Sequence, residues 1–160
     1  MKITEYNAML ASPFGMLGIV SQGEILVRID FLDKHSAAVP PKSEGNKQIC
    51  MQLEAYFENP RFQFTISYEL HGTPFQRAVW KLMQEIPCGT TRTYGDLAKV
   101  LHSAPRAVGQ ACGANPIPII IPCHRVVSKA GIGGFANHAS GYTISIKQWL
   151  LQHEVAGALI

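Results

Sequence analysis

The stretch TPFQRAVWKLMQEIPCGTTRTYGDLAKVLHSAPRAVGQACGA, residues 73–114, decides how the rest of the chain is read. Thr73 is a helix N-cap type, Pro74 suits the first helical position, and Gln76 completes a capping box with Thr73. Phe75, Val79, Leu82, Met83 and Ile86 then fall on one apolar face, and Pro87-Cys88-Gly89 ends the helix. Thr93 caps a second, short helix that opens at Tyr94, with Asp96 in its first turn and Leu97, Ala98 and Leu101 directed inward. Pro105 starts a third helix, because proline fits the first turn and forces Ala104 out of the helical region. A helix, a turn, a short helix and a further helix make a helix-turn-helix layout, in which the later helix enters a DNA groove.

The third helix, PRAVGQACGA, is built almost wholly of small residues. Glycine is poor for an isolated helix, so the composition needs a cause. Two causes stay open at this point. Ala107, Gly109, Gln110 and Gly113 let the helix lie close in a DNA groove behind Arg106, or they let it pack tightly inside the protein.

The charge pattern agrees with a polyanionic partner. The whole chain carries a net charge of +3. Residues 1–70 hold six Lys/Arg against eight Asp/Glu, a balance of −2, whereas residues 71–129 hold seven against two, a balance of +5. A basic segment over a helix-turn-helix points to nucleic acid, and the alternative is plain solubility.

Residues 1–70 read as a small strand-rich domain. MLGIVSQGEILVRIDFL alternates loosely and is punctuated by Gly15 and Gln22-Gly23, which predicts two or three antiparallel strands. KQICMQLEAYFEN (47–59) has helical spacing at Ile49, Leu53, Tyr56 and Phe57, and FQFTISYEL (62–70) alternates as a further strand. His71-Gly72 reads as the linker to a second domain over residues 71–160. No stretch approaches the roughly 20 apolar residues of a membrane span, and MKITEYNAML lacks the apolar core of a secretory signal, so a cytoplasmic protein is expected. Cys50, Cys88, Cys112 and Cys123 are few and far apart, which suits free thiols. No Cys/His pairs have metal-ligand spacing, so neither a metal nor a cofactor is expected.

The chemistry sits downstream, in IIIPCHRVV (119–127). Three isoleucines predict a buried strand that Pro122 stops, leaving Cys123 at a strand end with His124 beside it. A thiol near a base becomes a nucleophile, and the base commonly needs a carboxylate to orient it. Glu154, in the helix IKQWLLQHE, is the one carboxylate downstream. A Cys-His dipeptide alone is more often a core cysteine beside a satisfied histidine.

NPIPIIIPCHRVV resembles the active-site signature of the O6-alkylguanine-DNA alkyltransferases. GTPFQRAVWKLMQEIPCGTTRTYGDLA resembles the family's entry into its DNA-binding half, RAVGQACGANPIP its recognition helix and asparagine hinge, and KQWLLQHE its terminal helix. The match spans residues 72–154. It implies an α+β chain with a ribonuclease-H-like N-terminal domain and a mostly helical C-terminal domain carrying a winged-helix-like helix-turn-helix. It also implies irreversible, stoichiometric transfer of an alkyl group from O6-alkylguanine, or O4-alkylthymine, in double-stranded DNA, by a monomer without a cofactor.

The resemblance also assigns roles. Cys123 is the alkyl acceptor, and His124 takes its proton through a water while Glu154 holds the imidazole. Tyr94 donates to the guanine ring, and the carbonyls of Cys123 and Val126 receive the guanine amino group. Arg106 replaces the extruded nucleotide in the stack, and Asn115 ties the hinge. Arg125 is structural. Val126, Gly134, Phe135 and Ala136 line the pocket, where Phe135 stands in a usual tyrosine position and about four residues are inserted around Asn137–Ser140, relative to the family pattern. A non-catalytic lesion sensor would carry another residue at position 123. A cysteine hydrolase would need an oxyanion hole that the sequence does not display.

Overall fold

The computed structural model describes residues 5–33, 35–131 and 143–158. The chain divides into two compact units, Met1–Glu69 and Leu70–Ile160. It is a mixed α/β protein with a small antiparallel sheet and five α-helices among the described residues. No helix among them is long and apolar enough to cross a membrane.

In the first unit β1 (Ala8–Ser12), β2 (Gly15–Gln22) and β3 (Ile25–Leu32) form the expected meander, with Ala8 opposite Ile19 and Met16 opposite Leu32. Gly23 takes φ +61° in the β2–β3 turn, a left-handed conformation that glycine adopts without penalty. Leu17, Ile19, Leu26 and Ile29 are fully buried. Helix α1 (Glu44–Glu58) adds Ile49, Leu53 and Tyr56, spaced i, i+4 and i+7. It begins three residues before the expected start because Ser43 caps it, its hydroxyl accepting from the Asn46 amide at 3.1 Å.

The strand expected over residues 62–70 does not form. The segment makes one parallel bridge, between Leu26 and Tyr68. Its backbone bonds elsewhere: the Gln52 side chain accepts from the Thr65 amide at 2.8 Å and donates to the Thr65 hydroxyl at 3.0 Å. The alternating aromatics pack ring against ring instead of lining a sheet, Phe64 tilted on Tyr56 with centroids 5.7 Å apart and Phe62 edge-on to Phe64 at 5.6 Å.

The second unit follows its capping signals. Helix α2 (Pro74–Gln84) has both halves of the Thr73/Gln76 box, at 3.1 and 3.0 Å. Strand β4 (Arg92–Thr93) leads into α3 (Tyr94–Leu101), whose Thr93/Asp96 box is also complete, at 3.0 and 2.9 Å. Helix α4 (Pro105–Gly113) starts after Ala104 at φ −106°, ψ 148°. Trp80 of α2 is buried and its indole Nε1 donates to the Ala111 carbonyl at 2.8 Å, which fixes α4 against α2. A Cβ on Gly72 would lie 2.5 Å from that indole ring, so the linker passes where only glycine fits.

The three isoleucines do not form a strand. Residues 117–121 fold into a tight turn in which the Ile121 amide reaches the Ile117 carbonyl at 3.0 Å and Ile119 takes φ +78°. A left-handed β-branched residue is an outlier, held here because Ile117, Ile119 and Ile121 are all buried. Cys123 therefore opens a 3₁₀ turn (Cys123–Arg125), not a strand end. Strand β5 (Val126–Val127) follows and pairs in parallel with β4, Arg92 opposite Val126 and Thr93 opposite Val127. That pairing sets Tyr94, the first residue of α3, beside the turn that carries Cys123. Helix α5 (Ile144–Ala158) closes the unit.

Thr73→Ala removes one arm of a complete capping box on an exposed residue. It should lower stability by about 1 kcal/mol, and a urea melt should show a shifted midpoint with an unchanged slope.

Candidate active site

Cys123 and His124 are buried, at 3 % and 0 % exposure, on consecutive positions of the 3₁₀ turn. Helix α5 brings Glu154, also buried, beneath that turn. The Glu154 carboxylate lies 2.8 Å from His124 Nε2 and receives two hydrogen bonds from Arg125, Nε to Oε1 at 2.9 Å and Nη2 to Oε2 at 2.8 Å. Arg125 Nη1 also donates to the Ile86 carbonyl at 2.7 Å, tying the end of α2 to the turn.

Burial lowers the His124 pKa, and the Glu154 carboxylate only partly opposes it. Glu154 is itself pushed well below the usual carboxylate range, since its bonds to His124 and Arg125 outweigh the burial that would raise it. The consistent state is a neutral imidazole whose Nε2–H donates to an ionised Glu154. His124 Nδ1 is then an acceptor, and it is buried with no hydrogen-bond partner among the described residues.

The Cys123 thiol is pushed up to about 11, by burial first; a hydrogen bond from Asn115, the charge of Lys147 and a backbone amide pull the other way. At neutral pH it rests as a thiol. Asn115 is buried between the helix and the turn: its Nδ2 donates to the Ile121 carbonyl at 2.8 Å and its Oδ1 accepts from the Ile117 amide at 3.1 Å. It spans the isoleucine turn and touches the sulfur.

Tyr94 is half-buried, and burial raises its hydroxyl pKa, with Cys112 and Cys123 adding to the rise. Val126 is buried. On α4, Arg106 and Gln110 are exposed, Ala107 and Gly109 half-buried, and Gly113 buried. Of the two purposes left open by its sequence, tight packing inside the protein is met. Val108, Ala111, Cys112 and Gly113 pack inward, while Arg106 and Gln110 face solvent. Gly113, expected on the DNA face, lies on the packed side. Gly134, Phe135 and Ala136 fall outside the described residues.

Two residues of the site were not expected from the sequence. Lys147 of α5 is 1 % exposed, and its Nζ donates to the Val126 carbonyl at 2.7 Å and to the Tyr94 hydroxyl at 3.4 Å. Cys112 is buried, with its sulfur 3.5 Å from Met83 Sδ. The signal for Lys147 was its spacing: Lys147, Leu150 and Glu154 stand i, i+3 and i+7 on one helix stripe. A hollow of about 260 Å³ lined by Leu82, Ile86, Arg92 and Leu97, among others, contains none of these groups.

Residues 74–156 match the family described as "6-O-methylguanine DNA methyltransferase, DNA binding domain". A methylated-DNA–protein-cysteine methyltransferase of Methanosarcina mazei is 40% identical over 156 residues, which cover 93% of this chain and 96% of that protein. A probable methylated-DNA–protein-cysteine methyltransferase of Acanthamoeba polyphaga mimivirus is 51% identical over 105 residues, 64% of this chain and 67% of that protein. The crystal structure of Mycobacterium tuberculosis OGT in complex with DNA is similar with a TM-score of 0.78 at 37% identity, covering 92% of this chain and 91% of that chain.

The buried cluster sets the acid stability. A carboxyl with a depressed folded pKa contributes stability that is complete above its unfolded value, about 4.3, and is lost as pH falls toward the folded one. His124, lowered in the fold, adds a loss that begins below about pH 6.5, where the unfolded imidazole takes up its proton. Glu154→Gln takes the negative charge from the buried cluster with Arg125 and should cost roughly 3–5 kcal/mol at pH 7. Below about pH 4 the gap to the wild type should narrow in urea melts. A gap constant down to pH 2 would contradict the assigned ionisation.

Proposed function

The chain belongs to the 6-O-methylguanine DNA methyltransferase family, and we propose that it repairs O6-alkylguanine in double-stranded DNA by moving the alkyl group to Cys123. The observation that carries this reading is the buried Cys123–His124 turn, in which Nε2 is fixed by Glu154 while Nδ1 is left as an acceptor. Duplex DNA hides the alkyl group inside the stack, so the base must be extruded, at a cost of a few kcal/mol. Arg106, exposed at the start of α4, takes the place of the extruded nucleotide. Ala107, Gly109 and Gln110 follow the groove.

The step is a displacement at carbon. The sulfur–carbon bond forms, the carbon–O6 bond breaks, and guanine leaves with the bonding pair. The thiol proton passes to His124, through one water. A proton reaches the departing base from the Tyr94 side, where the hydroxyl meets the ring as negative charge develops. The carbonyls of Cys123 and Val126 receive the guanine amino group, and Asn115 steadies both the turn and the sulfur. The product is a thioether with no leaving group, so one molecule repairs one lesion. O4-alkylthymine is a secondary substrate on this reading.

The same reading takes the first unit as ribonuclease-H-like and α2 to α4 as a winged-helix-like helix-turn-helix. The protein acts as a monomer in the cytoplasm. The meander with α1 and the two complete capping boxes support the fold assignments.

Cys123→Ser keeps the size of the side chain but not its nucleophile. Affinity for O6-methylguanine duplex should persist while transfer vanishes. The wild type should gain one methyl, mapped to Cys123 by peptide mass, with Cys50, Cys88 and Cys112 unmodified. Product in molar excess over protein, or a methyl on Cys88, would defeat the assignment.

Arg106→Ala should slow repair of duplex roughly tenfold, since a kilocalorie or two of extrusion energy is lost. Transfer from free O6-benzylguanine needs no extrusion and should change by less than about twofold. Equal losses on both substrates would place Arg106 in the pocket or the fold.

A further inference from the structure

We propose that Arg125 is a positioning residue that tunes His124: its guanidinium binds the same Glu154 oxygen as the imidazole and so limits how strongly that carboxylate draws a proton onto the ring. The inference deepens the function proposed above and rests on it, since there the neutral ring of His124 receives the thiol proton. That reading gives Arg125 no part in the chemistry.

A carboxylate beside a histidine favours the protonated ring, because opposite charges attract. An imidazolium has no lone pair, so it could not take the proton from Cys123. Pairing with Glu154 therefore orients the ring and at the same time threatens to charge it. The geometry around Glu154 counters that threat. Its Oε2 stands 2.8 Å from His124 Nε2 and also accepts from Arg125 Nη2 at 2.8 Å, while Oε1 accepts from Arg125 Nε at 2.9 Å. Two donors share one oxygen, and one of them is a guanidinium that stays charged throughout the working range of pH. The side chain of Glu154 is 1 % exposed and that of Arg125 13 %, so water and salt screen the pair little. Arg125 Nη1 is held in turn by the Ile86 carbonyl at 2.7 Å, which fixes the guanidinium in place.

The charged and titratable groups that act on His124 come from two elements among the described residues. Glu154 and Lys147 lie on α5, and Arg125 follows His124 in the 3₁₀ turn. Cys123, before it in the turn, rests as a thiol. Helix α2 also packs on the turn and offers Arg125 the neutral carbonyl of Ile86. Burial is the largest cause of the low His124 pKa; Glu154 raises it, and Arg125 and then Lys147 lower it. Burial lowers the pKa of Lys147 itself, so Arg125 is the cation whose charge holds steady with pH. Without the guanidinium the carboxylate turns more of its charge on the ring, and the pair takes up a proton at higher pH.

The test follows the His124 ring by heteronuclear NMR, and single-turnover transfer from an O6-methylguanine duplex, from about pH 5 to about pH 9. The proteins are wild type, Arg125→Gln, which removes the charge, and Arg125→Lys, which keeps a cation and loses the planar fork. In Arg125→Gln the ring should titrate at least about one pH unit above the wild type, and the acid fall in transfer rate should move with it. At the alkaline end its rate should return to within about threefold of the wild type. Arg125→Lys should lie between the two, and affinity for unmodified duplex should be the same in all three. A ring midpoint unchanged in both variants, with transfer slowed by one factor at every pH, would make Arg125 merely structural and overturn the proposal. So would a proton that settles on Glu154 and leaves the ring neutral, or a wild-type ring that already titrates above the ordinary value of about 6.5. Failure of both variants to fold would overturn it equally. A wild type that accepts no methyl at any pH would defeat the broader reading of function, and the ring titrations would still decide what Arg125 does to His124.

Discussion

One buried carboxylate organises the second unit. Glu154 sits beneath the 3₁₀ turn and takes contacts from His124 and from Nε and Nη2 of Arg125. A lone carboxylate so deep would be strongly disfavoured, and a bidentate guanidinium is the partner whose geometry offsets that cost best. Arg125 spends its remaining fork on the Ile86 carbonyl, so the same charge cluster joins α5, the turn and the end of α2. The histidine benefits indirectly. With Nε2 committed, its ring has one orientation and one tautomer, and Nδ1 is left as an acceptor with no donor on it among the described residues.

Much of this unit was legible because its signals are local. Thr73, Pro74 and Gln76, and then Thr93, mark helix starts by hydrogen bonds that span three residues; the first box and the Thr93 cap form as read, and Asp96 completes a second box. Ser43 is an equally local signal and was passed over because the apolar spacing begins only at Ile49. Two apolar patterns misled. The alternation of Phe62, Phe64 and Ile66 is real, but ring stacking and the Gln52 side chain use it in place of a strand partner. Ile119-Ile120-Ile121 carries the composition of a buried strand, and no propensity argument would put a β-branched residue at φ +78°. Tertiary enclosure, together with Asn115 reaching across to the Ile121 carbonyl, decides that turn.

Charge is a coarser guide than the caps. The basic balance of residues 71–129 counts Arg125 with Arg106, although one is locked on Glu154 and the other is exposed. Lys147 lay outside the basic segment, where lysine and glutamate cancel, and so attracted no notice. A lysine in register with Leu150 on the buried stripe of α5 breaks the rule that lysines face water. That local violation, not any property of the net charge, was the sequence signal of a buried position beside the site.

The burial of Cys123 explains how a nucleophile can be kept for a single use. A sequence with histidine next to cysteine suggests a thiolate always present, as in enzymes that turn over. Here desolvation holds the sulfur up to about 11 despite Asn115 and Lys147, so the resting group is a thiol. Oxidants and stray electrophiles react with thiolate, and a protonated sulfur at 3 % exposure offers them little. On the proposed reading, the neutral imidazole on the next residue supplies the means to remove the proton, but only a base that has entered the site supplies the carbon that makes removal worthwhile. Deprotonation and attack are thereby tied to occupancy of the pocket, and a residue that cannot be regenerated is spared from reacting with anything else.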